Sequence, residues 1–130
     1  MRYLLDSNII IGFLNGDKKI AEWIFAQKKK DYFSNLNISL ITKIETLSLK
    51  TLKDYQIEEI GKFLDVFDPI FINDDIIETA AALRRKNILS LGDAIVAGSA
   101  ISRKMILVTN DKTLANKAKS FTEVIILNKD

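Results

Sequence analysis

The sequence predicts an α/β fold in which a parallel sheet carries helices on both faces. Three observations predict it. Short apolar runs such as Tyr3–Leu5 and Met105–Val108 read as buried strands. Between such runs, apolar residues recur at helical spacing, as Ile57, Ile60 and Leu64 do. The two patterns alternate along the chain, which is how a parallel sheet with crossover helices is written. Its 130 residues, 48% of them hydrophobic, suffice for one core, so residues 1–130 are expected to form a single domain.

The elements follow in order. Tyr3–Leu4–Leu5 is the first strand and ends at Asp6. Ile9, Ile10 and Phe13 have helical spacing, and Asn15–Gly16 stops that helix. Asp17 caps a second helix through Ile20, Trp23 and Ile24, which runs into Lys28–Lys29–Lys30. Asn37 to Ile41 is the second strand, and Ser39 or Thr42 caps a helix bearing Ile44, Leu47 and Leu49. Another helix covers Asp54 to Phe67. Asp68–Pro69 breaks it, and Ile70–Phe71–Ile72 forms a third strand.

Asn73 caps the next helix, in which Ile76, Ile77, Ala80 and Leu83 share a face, and Asn87 is its expected terminator. Ser90 and Asp93 form a variant capping box. The helix they open is apolar nearly all round and is expected to be central and buried. Met105 to Val108 is the clearest strand. A short helix over Lys112–Lys119 and a strand over Val124–Leu127 complete the chain.

Composition excludes much chemistry. With no cysteine there is no disulfide framework, thiolate metal site or cysteine nucleophile. With no histidine there is no Ser-His-Asp triad, paired-histidine ribonuclease mechanism or histidine-bound zinc. Lys+Arg number 19 against 17 Asp+Glu, a net +2 that is not the signature of nucleic-acid binding by charge alone. The N-terminal apolar stretch is interrupted by Asp6, so it reads as folded protein rather than a signal or a membrane span. A cytoplasmic protein is expected.

Four acids stand out on this frame. Asp6 and Asp111 lie just past the carboxyl ends of strands, where open parallel sheets bind ligands. Glu45 is early in the helix after the second strand, and Asp93 is in the first turn of the buried helix. Each has a structural alternative. Asp6 and Asp111 can cap helices, Asp93 can be half of a capping box, and Glu45 can be an exposed helix residue. Gathered at one edge, four carboxylates would repel one another unless a cation joined them. An all-oxygen set suits Mg²⁺ or Mn²⁺, and such an ion suits hydrolysis of a phosphodiester.

These residues also resemble a known family. YLLDSNIIIGFL resembles the opening of PIN domains, and ISLITKIETLSL their second motif, with Ser39 and Thr42 ahead of Glu45. LSLGDAIVAGSAI resembles the third motif, and MILVTNDKTL the fourth. All four occur in the family's order, and the compact length is similar to VapC-like toxins of prokaryotic toxin–antitoxin pairs. The resemblance implies a three-layer α/β/α fold with a mostly parallel sheet and Mg²⁺- or Mn²⁺-dependent cleavage of RNA. It further implies a homodimer and a cognate antitoxin that inserts a segment into the site. By position, Asp6, Glu45, Asp93 and Asp111 match the acidic quartet, and Thr109 the hydroxyl that supports the first aspartate. Asn8 and Ser7 fall where the family has small polar residues near the metal. Arg84 and Arg85 stand where relatives carry a basic residue, a possible RNA contact, although a solvated helix end explains both equally well. Leu114 replaces a frequent aromatic, a difference of packing.

Two other readings compete. A receiver-like signalling module also binds Mg²⁺ in an acidic pocket, but it needs an acidic pair after the first strand, where Asp6 stands alone. A catalytically silent PIN domain would act as a binding module, yet all four acids are present. A dinucleotide-binding fold fails because Asp-Ser-Asn, not a glycine-rich turn, follows the first strand.

Overall fold

The structure is a computed structural model and describes residues 1–31, 35–86 and 89–128. Five strands form one sheet in the order β3-β2-β1-β4-β5, and every neighbouring pair is parallel. The strands are β1 (Tyr3–Leu5), β2 (Leu36–Ser39), β3 (Asp68–Ile70), β4 (Ile106–Val108) and β5 (Val124–Ile125). The helices are α1 (Ser7–Leu14), α2 (Lys18–Asp31), α3 (Leu40–Leu47), α4 (Asp54–Leu64), α5 (Asp74–Lys86), α6 (Leu91–Arg103) and α7 (Lys112–Ala118).

Adjacent strand residues point to opposite faces, and Leu4 and Leu5 show the consequence. Leu4 joins a core with Ile76, Ala80 and Leu83 of α5, Val96 and Ala97 of α6, and Leu114 of α7. Leu5 joins one with Ile9 and Ile10 of α1, Ile20 and Ile24 of α2, and Leu64 of α4. The sheet therefore lies between two helical layers, an α/β/α sandwich. Buried Asn37 of β2 is satisfied within the sheet. Its amide donates to the Tyr3 and Asn35 carbonyls at 3.1 and 3.3 Å, and its oxygen accepts from Arg2 at 3.2 Å.

The small residues of α6 let it approach α5. A Cβ on Gly98 would stand 3.1 Å from the Ala80 backbone nitrogen. As the sequence predicts, Ala94 and the run Val96–Ala100 are buried. Gly16, at φ 85°, takes the left-handed turn after α1.

Several boundaries differ from the sequence pattern, each for a local reason. Ser39 rather than Thr42 caps α3, its Oγ accepting the Ile41 N–H at 3.2 Å, so Ile41 is helical and β2 ends early. The third strand is Asp68–Ile70, not Ile70–Ile72. It is an edge strand, where Pro69 is tolerated despite lacking an N–H, and Phe71 beyond it is 62% exposed. Helix α4 stops at Leu64, while Phe67 still reaches the core. β5 ends at Ile125 because the N–H groups of Leu127 and Asn128 turn to the Asn110 side chain. The terminator expected at Asn87 lies outside the described residues. No described helix is long and apolar enough to cross a membrane.

Candidate metal centre

Strand order places the site. The chain steps from β1 to β2 on one side, then returns to put β4 on the other side of β1. The carboxyl ends of β1 and β4 flank this switch point, where an open parallel sheet leaves a crevice. Asp6 follows β1 and Thr109–Asp111 follow β4. The junction is continued by the backbone, since the Asp6 N–H donates to the Val108 carbonyl at 3.0 Å.

Asp6 is 3% exposed, and its carboxylate is held on both oxygens. Oδ1 accepts the Ser7 N–H at 2.8 Å, which makes Asp6 the cap of α1. Oδ2 accepts the Thr109 hydroxyl at 2.7 Å and the Asn8 amide at 2.9 Å. Thr109 is fully buried, and its Oγ1 also accepts the Asp111 N–H at 3.0 Å and the Asn8 amide at 3.1 Å. Asp111 caps α7, its Oδ1 accepting from Thr113 and Leu114 at 3.0 and 3.1 Å. Ser90 caps α6 by accepting the Asp93 N–H at 3.1 Å. Capping and clustering therefore coexist: the bonds that start α1 and α7 also aim two carboxylates at one crevice.

The four acids lie within reach of one another's charge. Burial raises the Asp6 carboxyl above the ordinary aspartate range. Thr109 and Ser7 oppose that by hydrogen bonding, and the charges of Asp93 and Asp111 add to it. Glu45 is raised by burial, then by Asp6 and Asp93, and is lowered by a hydrogen bond from Ser7. Asp93 is raised by burial and by Asp111, while Ser90 and the charge of Lys117 pull it down. Glu45 as a residue is exposed on α3, but its carboxylate leans over α6. A Cβ on Gly92 would stand 3.3 Å from Glu45 Oε2.

Among the described residues, no three acids converge tightly enough to hold an ion as their side chains stand. What fits a hard cation is the donor chemistry. The set is all oxygen, burial and neighbouring charge raise Asp6, Glu45 and Asp93, and a divalent cation relieves both.

The basic pair is placed differently. Arg84 donates to the Leu89 carbonyl at 2.8 Å, fastening the end of α5 to the segment before α6, and Arg85 is exposed beside it. Three residues at the site carry no signal of their own in the sequence. Gly92 leaves room for Glu45, Lys117 reaches the field of Asp93 from α7, and Asn110 binds the chain after β5. Their roles depend on helix–helix and loop–loop proximity, which no motif encodes.

A model of the PIN domain matches residues 3–120, about nine-tenths of the chain. The chain belongs to the PIN-domain family. No curated protein matches it at a significant level. Among solved structures, this PIN domain is similar to a toxin–antitoxin complex from Klebsiella pneumoniae, with 26% identity and a TM-score of 0.80 over 98% of this chain and 99% of that one. It is similar in fold to VapBC2 from Rickettsia felis bound to a DNA fragment of its promoter, with 22% identity, a TM-score of 0.78 and coverage of 98% and 100%. DNA-bound VapBC from Salmonella typhimurium shares the fold at 20% identity, a TM-score of 0.77 and coverage of 98% and 99%. Family membership sets aside the receiver-like reading.

Proposed function

We propose that this PIN domain is a metal-dependent endoribonuclease, the toxin of a VapBC-type pair, acting in the cytoplasm as one nuclease domain over residues 1–130. The reading is supported by Asp6 and Asp111 at the carboxyl ends of β1 and β4, with Glu45 and Asp93 within reach of the Asp6 charge. The toxin assignment is supported by the solved toxin–antitoxin complexes of the same fold. A cognate antitoxin and a homodimer belong to the same proposal.

In this reading the four carboxylates hold Mg²⁺ or Mn²⁺. When bound, the cation supplies Lewis-acid polarisation of a phosphodiester and makes water a stronger nucleophile at neutral pH. The residues of the chain do the remainder. Thr109 and Asn8 fix the Asp6 carboxylate, so it need not reorganise as charge builds on the phosphate. Ser7 orients Glu45, and Ser90 orients Asp93. Asp111, locked by its cap bonds, keeps its position relative to Thr109. Arg84 and Arg85 are the proposed contacts to RNA phosphates.

The test is cleavage of a mixed RNA pool with Mn²⁺ by the wild type, Asp6→Ala and Asp93→Ala, with circular dichroism as the fold control. Loss of cleavage in folded variants is expected, and full activity in either one overturns the assignment. A catalytically silent binding module is separated by thermal shift. It would show no Mn²⁺-dependent stabilisation that Asp6→Asn removes.

A further inference from the structure

We propose that Asn110 is a positioning residue that holds Asp6 through Asn8 and is itself anchored by the chain after β5. The inference rests on the reading of Asp6 as a metal ligand. It starts from a continuous path of hydrogen bonds between segments distant in sequence. The Asn110 side-chain oxygen accepts the N–H groups of Leu127 and Asn128 at 3.0 and 2.9 Å. Its own backbone N–H donates to Asn8 Oδ1 at 2.9 Å. Asn8 Nδ2 then donates to Asp6 Oδ2 at 2.9 Å and to Thr109 Oγ1 at 3.1 Å. The anchor is tied in turn to α2, because Asn128 Nδ2 donates to Asp17 Oδ2 at 2.6 Å, and Asp17 Oδ1 accepts the Ile20 N–H at 3.1 Å.

The orientation of Asn8 follows from chemistry. An amide side chain presents an acceptor on one side and donors on the other. A backbone N–H can only donate, so the atom of Asn8 facing Asn110 is the oxygen. The NH₂ group then faces Asp6 and Thr109, where a carboxylate needs donors. Reversed, the amide would set its oxygen against the carboxylate and its NH₂ against an N–H. Asn110 thus decides which face of Asn8 meets Asp6. The bonds from Leu127 and Asn128 hold Asn110 in turn, and they end β5 after two residues.

Two donors on Oδ2 and one on Oδ1 leave Asp6 its remaining acceptor capacity on Oδ1. Outer partners of this kind are worth about 10- to 100-fold in metal affinity.

The experiment has a readout that needs no metal. In protein labelled with ¹⁵N-asparagine and kept in chelator, Asn8→Ala identifies the Asn8 side-chain NH₂ resonances. The wild type is expected to show them shifted away from the positions of a solvent-exposed asparagine and slow to exchange with water, because both protons are hydrogen-bonded. Asn110→Ala should move them toward the solvent-exposed position, speed their exchange with water and weaken Mn²⁺ binding about 10-fold by calorimetry. Asn110→Asp, which still accepts both backbone N–H groups, should preserve the Asn8 signals and keep Mn²⁺ affinity within about threefold of the wild type, well inside the range that an outer partner controls. Asn110→Ser, too short to reach both, moves in the same direction as alanine and serves where the alanine variant does not fold. Unchanged Asn8 signals in Asn110→Ala and Asn110→Ser overturn the proposal. So does unchanged Mn²⁺ affinity when those signals have moved, since the path is then purely structural. If the wild type binds no Mn²⁺, the metal reading fails, while the Asn8 signals still decide whether Asn110 orients it.

Discussion

Thr109→Val replaces a buried hydroxyl with a methyl of nearly equal size, so its cost isolates the polar role of the residue. In the wild type that hydroxyl donates to Asp6 at 2.7 Å and accepts the Asp111 N–H at 3.0 Å. A hydrogen bond to a charged group is worth about 1.5–3 kcal/mol, and stranding the buried N–H adds about 1 kcal/mol or more. The expected loss is about 3–4 kcal/mol, or roughly 10–15 °C in Tm for a chain of this length. Thr109→Ser keeps the hydroxyl and removes one methyl, for about 1 kcal/mol. Urea unfolding in chelator measures both, followed by the fluorescence of Trp23, which packs edge-on to Tyr3 at 5.0 Å. The ranking decides the matter. If valine is tolerated better than serine, Thr109 is there for packing, and the account of a held Asp6 carboxylate is refuted.

Gly98→Ala should cost about 1–3 kcal/mol because its Cβ meets Ala80 backbone rather than a flexible side chain. Gly61→Ala, with nothing within 4 Å of the added Cβ, should instead stabilise by about 0.5–1 kcal/mol; equal effects in parallel denaturant titrations would contradict the close α5–α6 approach. Stability in chelator should fall as pH rises above the ordinary carboxylate values of about 4. Asp6, Glu45 and Asp93 are all raised in the fold, so the folded chain binds more protons than the unfolded one through that window. Mn²⁺ should reverse the slope, and a Tm that climbs with pH in chelator would show that burial and neighbouring charge do not raise these acids.

Much of the fold was legible in the sequence because its signals are local. Ser39, Asn73 and Ser90 cap their helices through backbone N–H groups two or three residues on. Gly16 marks its turn with φ 85°, a conformation that side chains disfavour. The third strand was displaced because Pro69 reads as a breaker in isolation. It becomes acceptable only at a sheet edge, and a strand's place in the sheet is not a local property.

For the site, the sequence by itself determined the inventory: four acids, two of them placed by strand ends, and no histidine or cysteine to bring other chemistry. A residue's type and its position at a strand end survive without knowledge of its neighbours. Only the tertiary structure decided how those acids are held. The bond from Thr109 to Asp6 joins residues 103 apart in sequence, and the bond from Asn110 to Asn8 joins residues 102 apart. Such partnerships arise because parallel pairing sets β4 beside β1. Pairing between strands separated by most of the chain is a result of folding, so no window of sequence contains it.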